Sequence, residues 1–103
     1  MENDVLQSIC QYLWFKKIYF WRNNNTPTFD RKRGIYRSMP KWAIKGVSDI
    51  LGILPNGRFL AIEVKQPGKY ATKEQKAFLA QINASGGLGI VAKSIDDVAK
   101  FIK

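Results

Sequence analysis

The sequence has 103 residues, a length that allows one domain around one core and leaves little for a second. With 46% hydrophobic and 13% aromatic residues the chain is expected to be globular rather than disordered, and its formal net charge of +9 points to a polyanionic partner, nucleic acid first. The lack of histidine and the single cysteine exclude imidazole general bases, a disulfide framework and an ordinary zinc site, while no apolar run nears the roughly 20 residues that cross a bilayer.

Chemistry would therefore run on carboxylates, lysines and a hard cation. The N-terminus carries no charged segment ahead of an apolar signal core, so a soluble cytoplasmic protein without a membrane partner is expected. Residues 1–103 are expected to form one domain.

From Asp4 to Phe15, Val5, Ile9, Tyr12 and Leu13 fall at helical spacing, with Asn3 or Asp4 as N-cap and Glu2 at the mouth of the helix. Cys10 sits among Leu6, Ile9 and Leu13 and reads as a small buried hydrophobe. Ile18-Tyr19-Phe20-Trp21 is β-prone and ends at the Asn23-Asn24-Asn25 cluster. Between Arg22 and Lys45 periodicity is lost and seven bases, Arg22, Arg31, Lys32, Arg33, Arg37, Lys41 and Lys45, stand against Asp30 alone, +6 of the total +9. A charge run is commonly no more than a solvated face. This one holds two thirds of the net charge and is interleaved with Phe29, Tyr36 and Trp42, which favours a nucleic-acid-facing loop.

Val47 to Leu54 and Arg58 to Lys65 flank the turn signal Pro55-Asn56-Gly57 and are expected to form a β-hairpin. Register decides what the hairpin can do. A three-residue loop sets Leu54 opposite Arg58 and Asp49 opposite Glu63, with Lys65 on the same face. A two-residue Asn56-Gly57 loop would send the carboxylates to opposite faces unless a bulge at Gly52 restored the phase. Thr72 to Ala84 follows as an amphipathic helix with Phe78, Leu79 and Ile82 inward, Thr72 and Gln75 matching a capping box and Ser85-Gly86-Gly87 ending it. Leu88 to Ala92 is a short strand, and Ser94 caps a last helix expected to bury Val98, Phe101 and Ile102. The order is α-β-β-β-α-β-α, an α/β fold.

Glu63 interrupts the apolar run from Phe59 to Val64, and an unpaired charge in a buried strand is expensive. A divalent cation shared by Asp49, Glu63 and the carbonyl of Val64 would compensate it, since magnesium takes oxygen ligands, keeps several waters and can bind a phosphate oxygen. Lys65 would orient or help deprotonate the attacking water and stabilise charge developing on the phosphate. The simpler reading is a Glu63–Lys65 surface ion pair.

Glu2, Gly46-Val47-Ser48-Asp49, Ile62-Glu63-Val64-Lys65 and Gln75, taken in this order of elements, resemble the PD-(D/E)xK nuclease superfamily. More narrowly they resemble the VRR-NUC family in its short stand-alone form, encoded by phages and bacteria. Ser48 stands in place of the superfamily's proline, and there is no Val-Arg-Arg tripeptide. The resemblance implies a restriction-endonuclease-like αβββαβ core with a C-terminal helix and a mixed four-stranded sheet. It further implies Mg2+- or Mn2+-dependent cleavage of DNA, branched or flapped DNA among the substrates of relatives, and a homodimer. Asp49, Glu63 and Lys65 would then be catalytic, joined by Glu2 and Gln75, although Glu2 also suits a helix N-terminus and Gln75 a capping box. A non-catalytic nucleic-acid-binding module on the same fold is the alternative.

Overall fold

The computed structural model describes residues 2–23, 29–30, 35–36 and 41–103. Helix α1 (Glu2–Phe15) leads into strand β1 (Tyr19–Arg22), followed by the short strands β2 (Phe29–Asp30) and β3 (Ile35–Tyr36). Strands β4 (Ile50–Ile53) and β5 (Phe59–Val64) form the hairpin; helix α2 (Lys73–Ala84), strand β6 (Leu88–Ala92) and helix α3 (Ile95–Ala99) complete the chain. The main sheet is mixed, in the order β1-β4-β5-β6, with β1 and β5 antiparallel to β4 and β6 parallel to β5.

Side-chain alternation divides the sheet into two faces. Ile50, Leu60, Ile62, Val64, Ile90 and Ala92 join Leu6, Ile9 and Leu13 of α1 and Val98 of α3 in one apolar core. The residues between them on β5 and β6 meet α2 on the other face, where the Gly89 backbone closes on Leu79. Strand β5 is thus covered on both faces, which accounts for its nearly unbroken apolar run.

The hairpin adopts the register of a three-residue loop. Ile53 pairs with Phe59 and Ile50 with Ile62, and Leu54 N–H donates to Arg58 O at 2.8 Å. Gly57 N–H donates to Leu54 O at 2.8 Å, Asn56 Oδ1 accepts from Arg58 N–H at 3.0 Å, and Gly57 takes the left-handed conformation (φ 88) that ends such a loop.

Three local expectations are corrected. Helix α1 begins at Glu2, so Asn3 and Asp4 lie inside its first turn instead of capping it; there the exposed N–H groups favour acids such as Glu2 and Asp4. The segment expected to be irregular contains the antiparallel pair β2–β3, with Phe29 opposite Tyr36. Phe101 is 58% exposed. Helix α3 ends at Ala99, yet Ile102 N–H still donates to Val98 O at 2.9 Å, so Val98 and Ile102, one turn apart, face inward while Phe101 faces out; the Ile102 carbonyl accepts from Tyr12 Oη at 2.6 Å.

Candidate active site

The Asp49 carboxylate is fixed by backbone and the Glu63 carboxylate by side chains. Asp49 lies one residue before β4; its carbonyl accepts from Asn23 N–H at 2.8 Å, and its Oδ2 accepts from Val64 N–H at 2.9 Å. The β4–β5 register continued by one pair sets Asp49 opposite Glu63. Glu2, from the first turn of α1, reaches the same end of the sheet. Carboxylate oxygens of Glu2, Asp49 and Glu63 all lie within 4.8 Å of one another.

Glu63 is only 1% exposed. Its Oε2 accepts from Gln75 Nε2 at 3.0 Å and lies 3.6 Å from Lys65 Nζ, while Oε1 is buried with no hydrogen-bond partner. The Lys65 side chain is itself only 14% exposed, so the simpler reading as a surface pair does not describe these two residues. Gln75 serves both readings offered for it. Its Oε1 accepts from Thr72 N–H at 2.8 Å and its N–H donates to Thr72 Oγ1 at 3.2 Å, closing the capping box. With the amide oxygen held by the cap, the NH2 end is the one presented to Glu63.

Burial first, and then the Asp49 charge beside it, pushes the Glu63 carboxyl up to about 8, against the opposing pull of Lys65. The folded value lies above the ordinary 4.5, so the folded chain holds a proton that the unfolded chain releases. Metal-free stability is therefore expected to be fully present below about 4.5 and to be lost as pH rises toward 8. A divalent ion that binds the ionised form reverses this, its stabilisation growing over the same interval. Melting temperatures in EDTA from pH 5 to 8.5 check the point: Glu63→Gln should flatten the slope, and a variant with the parental slope would refute the assignment.

A cation fits these donors. Three acidic oxygens converge, one buried carboxylate oxygen has no other partner, and all are the hard ligands that magnesium or manganese prefers. Two ligand bonds of about 2.1 Å span about 4.2 Å, so small side-chain rotations would bring the three groups onto one ion. Glu2 and Asp49 line a cleft of about 590 Å3 that is also lined by Val64, Lys65, Lys69 and Tyr70, while Glu63 lies buried behind them. Lys69 and Tyr70 were not singled out from sequence. The available signal was positional: the short link from β5 to α2 must pass over the C-terminal end of β5, where sites in such sheets form.

Of the seven basic residues expected to meet nucleic acid, Arg22, Lys41 and Lys45 are exposed, and Arg22 pairs through its backbone with Ile50, next to Asp49. Arg31, Lys32, Arg33 and Arg37 lie outside the described residues. Among the described residues no helix is long and apolar enough to cross a membrane.

The model of the VRR-NUC domain family matches residues 1–96. The fold is similar to a solved structure of a VRR-NUC domain protein, with a TM-score of 0.65 and 25% identity over 99% of this chain and 84% of that one. No curated protein matches the sequence.

Proposed function

This chain belongs to the VRR-NUC family, nucleases of the PD-(D/E)xK type, and from that premise we propose that it is a metal-dependent endonuclease that hydrolyses phosphodiester bonds in DNA. The single observation that carries the reading is Glu63, a buried carboxylate with one unpartnered oxygen, gathered with Asp49 and Glu2 beside Lys65.

Asp49, Glu63 and the carbonyl of Val64 would hold Mg2+ or Mn2+, with Glu2 as a further acidic ligand. The bound ion would supply charge neutralisation at the scissile phosphate and a more acidic water. Gln75 fixes the Glu63 carboxylate from the α2 side. The Lys65 ammonium, held beside Glu63, orients the attacking water and offsets negative charge that develops on the phosphate. Arg22, Lys41 and Lys45, with Arg31, Lys32, Arg33 and Arg37, hold the DNA backbone. No recognition helix is evident in the sequence, so the substrate is distinguished by structure, branched, flapped or junction DNA, before sequence. The resemblance to short stand-alone forms encoded by phages and bacteria supports a location in the cytoplasm of a bacterial or phage-infected cell.

The test incubates the protein with plasmid and branched DNA, with and without Mg2+ or Mn2+. Cleavage that requires the ion is expected. Binding without cleavage of any substrate would leave a nucleic-acid-binding module on the nuclease fold.

Changing Arg31, Lys32 and Arg33 together to Ala should weaken DNA binding and reduce the slope of log affinity against log salt by about 0.9 for each phosphate that is no longer neutralised. An unchanged slope would turn this segment away from DNA. The functional unit is a homodimer, motivated by the exposed Trp14, Phe15, Trp21 and Trp42 and by the two cuts that a junction requires. A dimer is expected in sedimentation at micromolar concentration, and a monomer there would rule this out.

A further inference from the structure

The cleft at the carboxylates does not end at Tyr70. On the far side of this residue lies a second cleft of about 450 Å3, lined by Lys76 of α2, Val91 of β6, Lys93 just after it, Asp97 of α3 and Lys100 at its C-terminus. Tyr70 lines both clefts. It is held in a short link between two fixed points, the turn closed by Lys69 N–H to Gln66 O at 3.1 Å and the Thr72 cap of α2. The ring is 75% exposed and carries the Lys93 ammonium on one face, 4.4 Å from its centroid, which leaves its other face for a second planar group.

Lys93 has a defined relation to the carboxylate site. The parallel register pairs Glu63 with Val91 and Val64 with Ala92, and Lys65 N–H donates to Ala92 O at 3.0 Å. Continued by one residue, the same register sets Lys93 beside Lys65 on the same face of the sheet. The charge balance of the second cleft is positive: Lys76, Lys93 and Lys100 face Asp97 alone. That carboxylate is engaged, Oδ2 accepting from Lys93 N–H at 2.8 Å and Oδ1 lying 3.7 Å from Lys100 Nζ.

We propose that this second cleft is a binding site for single-stranded nucleic acid, with Lys76 and Lys93 on its phosphates and an unpaired base stacked on Tyr70. The site rests on the nuclease reading and narrows its substrate class to DNA in which an unpaired arm adjoins the scissile phosphate. Bases within a duplex present only their edges, so an exposed ring in a basic groove is of use to an unstacked base. The shared Tyr70 makes the path continuous from the carboxylates, and the register places its first cation one strand away from Lys65.

The test measures binding in EDTA of a blunt duplex and of the same duplex with a ten-nucleotide single-stranded tail, to the parental chain and to Tyr70→Ala, Tyr70→Phe and Lys76→Ala/Lys93→Ala. The parental chain should prefer the tailed duplex by about ten-fold. Tyr70→Ala and the double lysine variant should abolish that preference, and Tyr70→Phe should retain it. Equal binding of the two duplexes by the parental chain, or an equal loss on both in the variants, overturns the site. So does polyglutamate that competes as well as an oligonucleotide of equal charge, because the groove would then read charge alone. A parental chain that keeps the tail preference but cuts neither DNA in Mg2+ or Mn2+ supports this site and overturns the nuclease reading instead.

Discussion

Asp49→Ala and Lys65→Ala are each expected to lower single-turnover DNA cleavage by at least about 10²- to 10³-fold while the chain still folds. The two losses differ in kind. Asp49→Ala removes an acidic oxygen from the cluster and leaves Val64 N–H without its 2.9 Å acceptor, a cost of about 1–3 kcal/mol. Relief of the repulsion that helps to keep Glu63 protonated offsets part of it. Lys65→Ala removes the attractive neighbour of Glu63, and the carboxyl answers by holding its proton more firmly, so no bare charge is left buried. Calorimetric titration with Mn2+ should therefore fail for Asp49→Ala and survive, weakened, for Lys65→Ala. Far-UV circular dichroism and thermal melts check folding. Cleavage at the parental rate by either variant would remove that residue from the site.

Gly46→Ala is expected to cost roughly 3 kcal/mol of stability and most of the activity, though Gly46 carries no chemistry. Its φ of 80 is left-handed, and an added Cβ would lie 2.4 Å from the carbonyl carbon of Glu74, 2.5 Å from its oxygen and 2.7 Å from the nitrogen of Gln75. These are backbone atoms that no rotamer change moves aside, so the first turn of α2 has to shift and take Gln75 away from Glu63. Gly57→Ala is the control. Its φ of 88 imposes similar backbone strain, but nothing lies within 4 Å of the added Cβ. Urea denaturation and cleavage assays compare the two, and equal losses would show that backbone strain, not the contact with α2, sets the requirement at Gly46.

The hairpin was legible because its determinants are local. Pro55, Asn56 and Gly57 announce the turn but allow a two- or a three-residue loop; the observed pairing of Ile53 with Phe59 decides for three, and counting outward from it places Asp49 opposite Glu63. The capping box of Thr72 and Gln75 was legible for the same reason. What sequence reading missed depends on contacts between distant segments. The close approach of Gly46 to α2 is made by packing across 28 positions of the chain. The neighbourhood of Lys65 and Lys93 depends on a parallel register set through a helical crossover, which no turn signal announces. Phe101 was misplaced because Val98, Phe101 and Ile102 were all assigned to one face, whereas only Val98 and Ile102, joined by the Ile102 N–H to Val98 O bond, turn inward. Glu2 and Asp4 illustrate a subtler limit, since an acid can precede a helix or occupy its first turn and the residue type does not distinguish the two.

One amide holds together two events usually treated apart. The Gln75 side chain closes the first turn of α2 with its oxygen and steadies Glu63 with its nitrogen, so fraying of that turn and disassembly of the carboxylate cluster are a single equilibrium. By reciprocity, whatever occupies the cluster must also slow the opening of the helix end. Amide hydrogen exchange at Thr72 and Gln75 thereby becomes a gauge of occupancy, readable in the absence of any DNA.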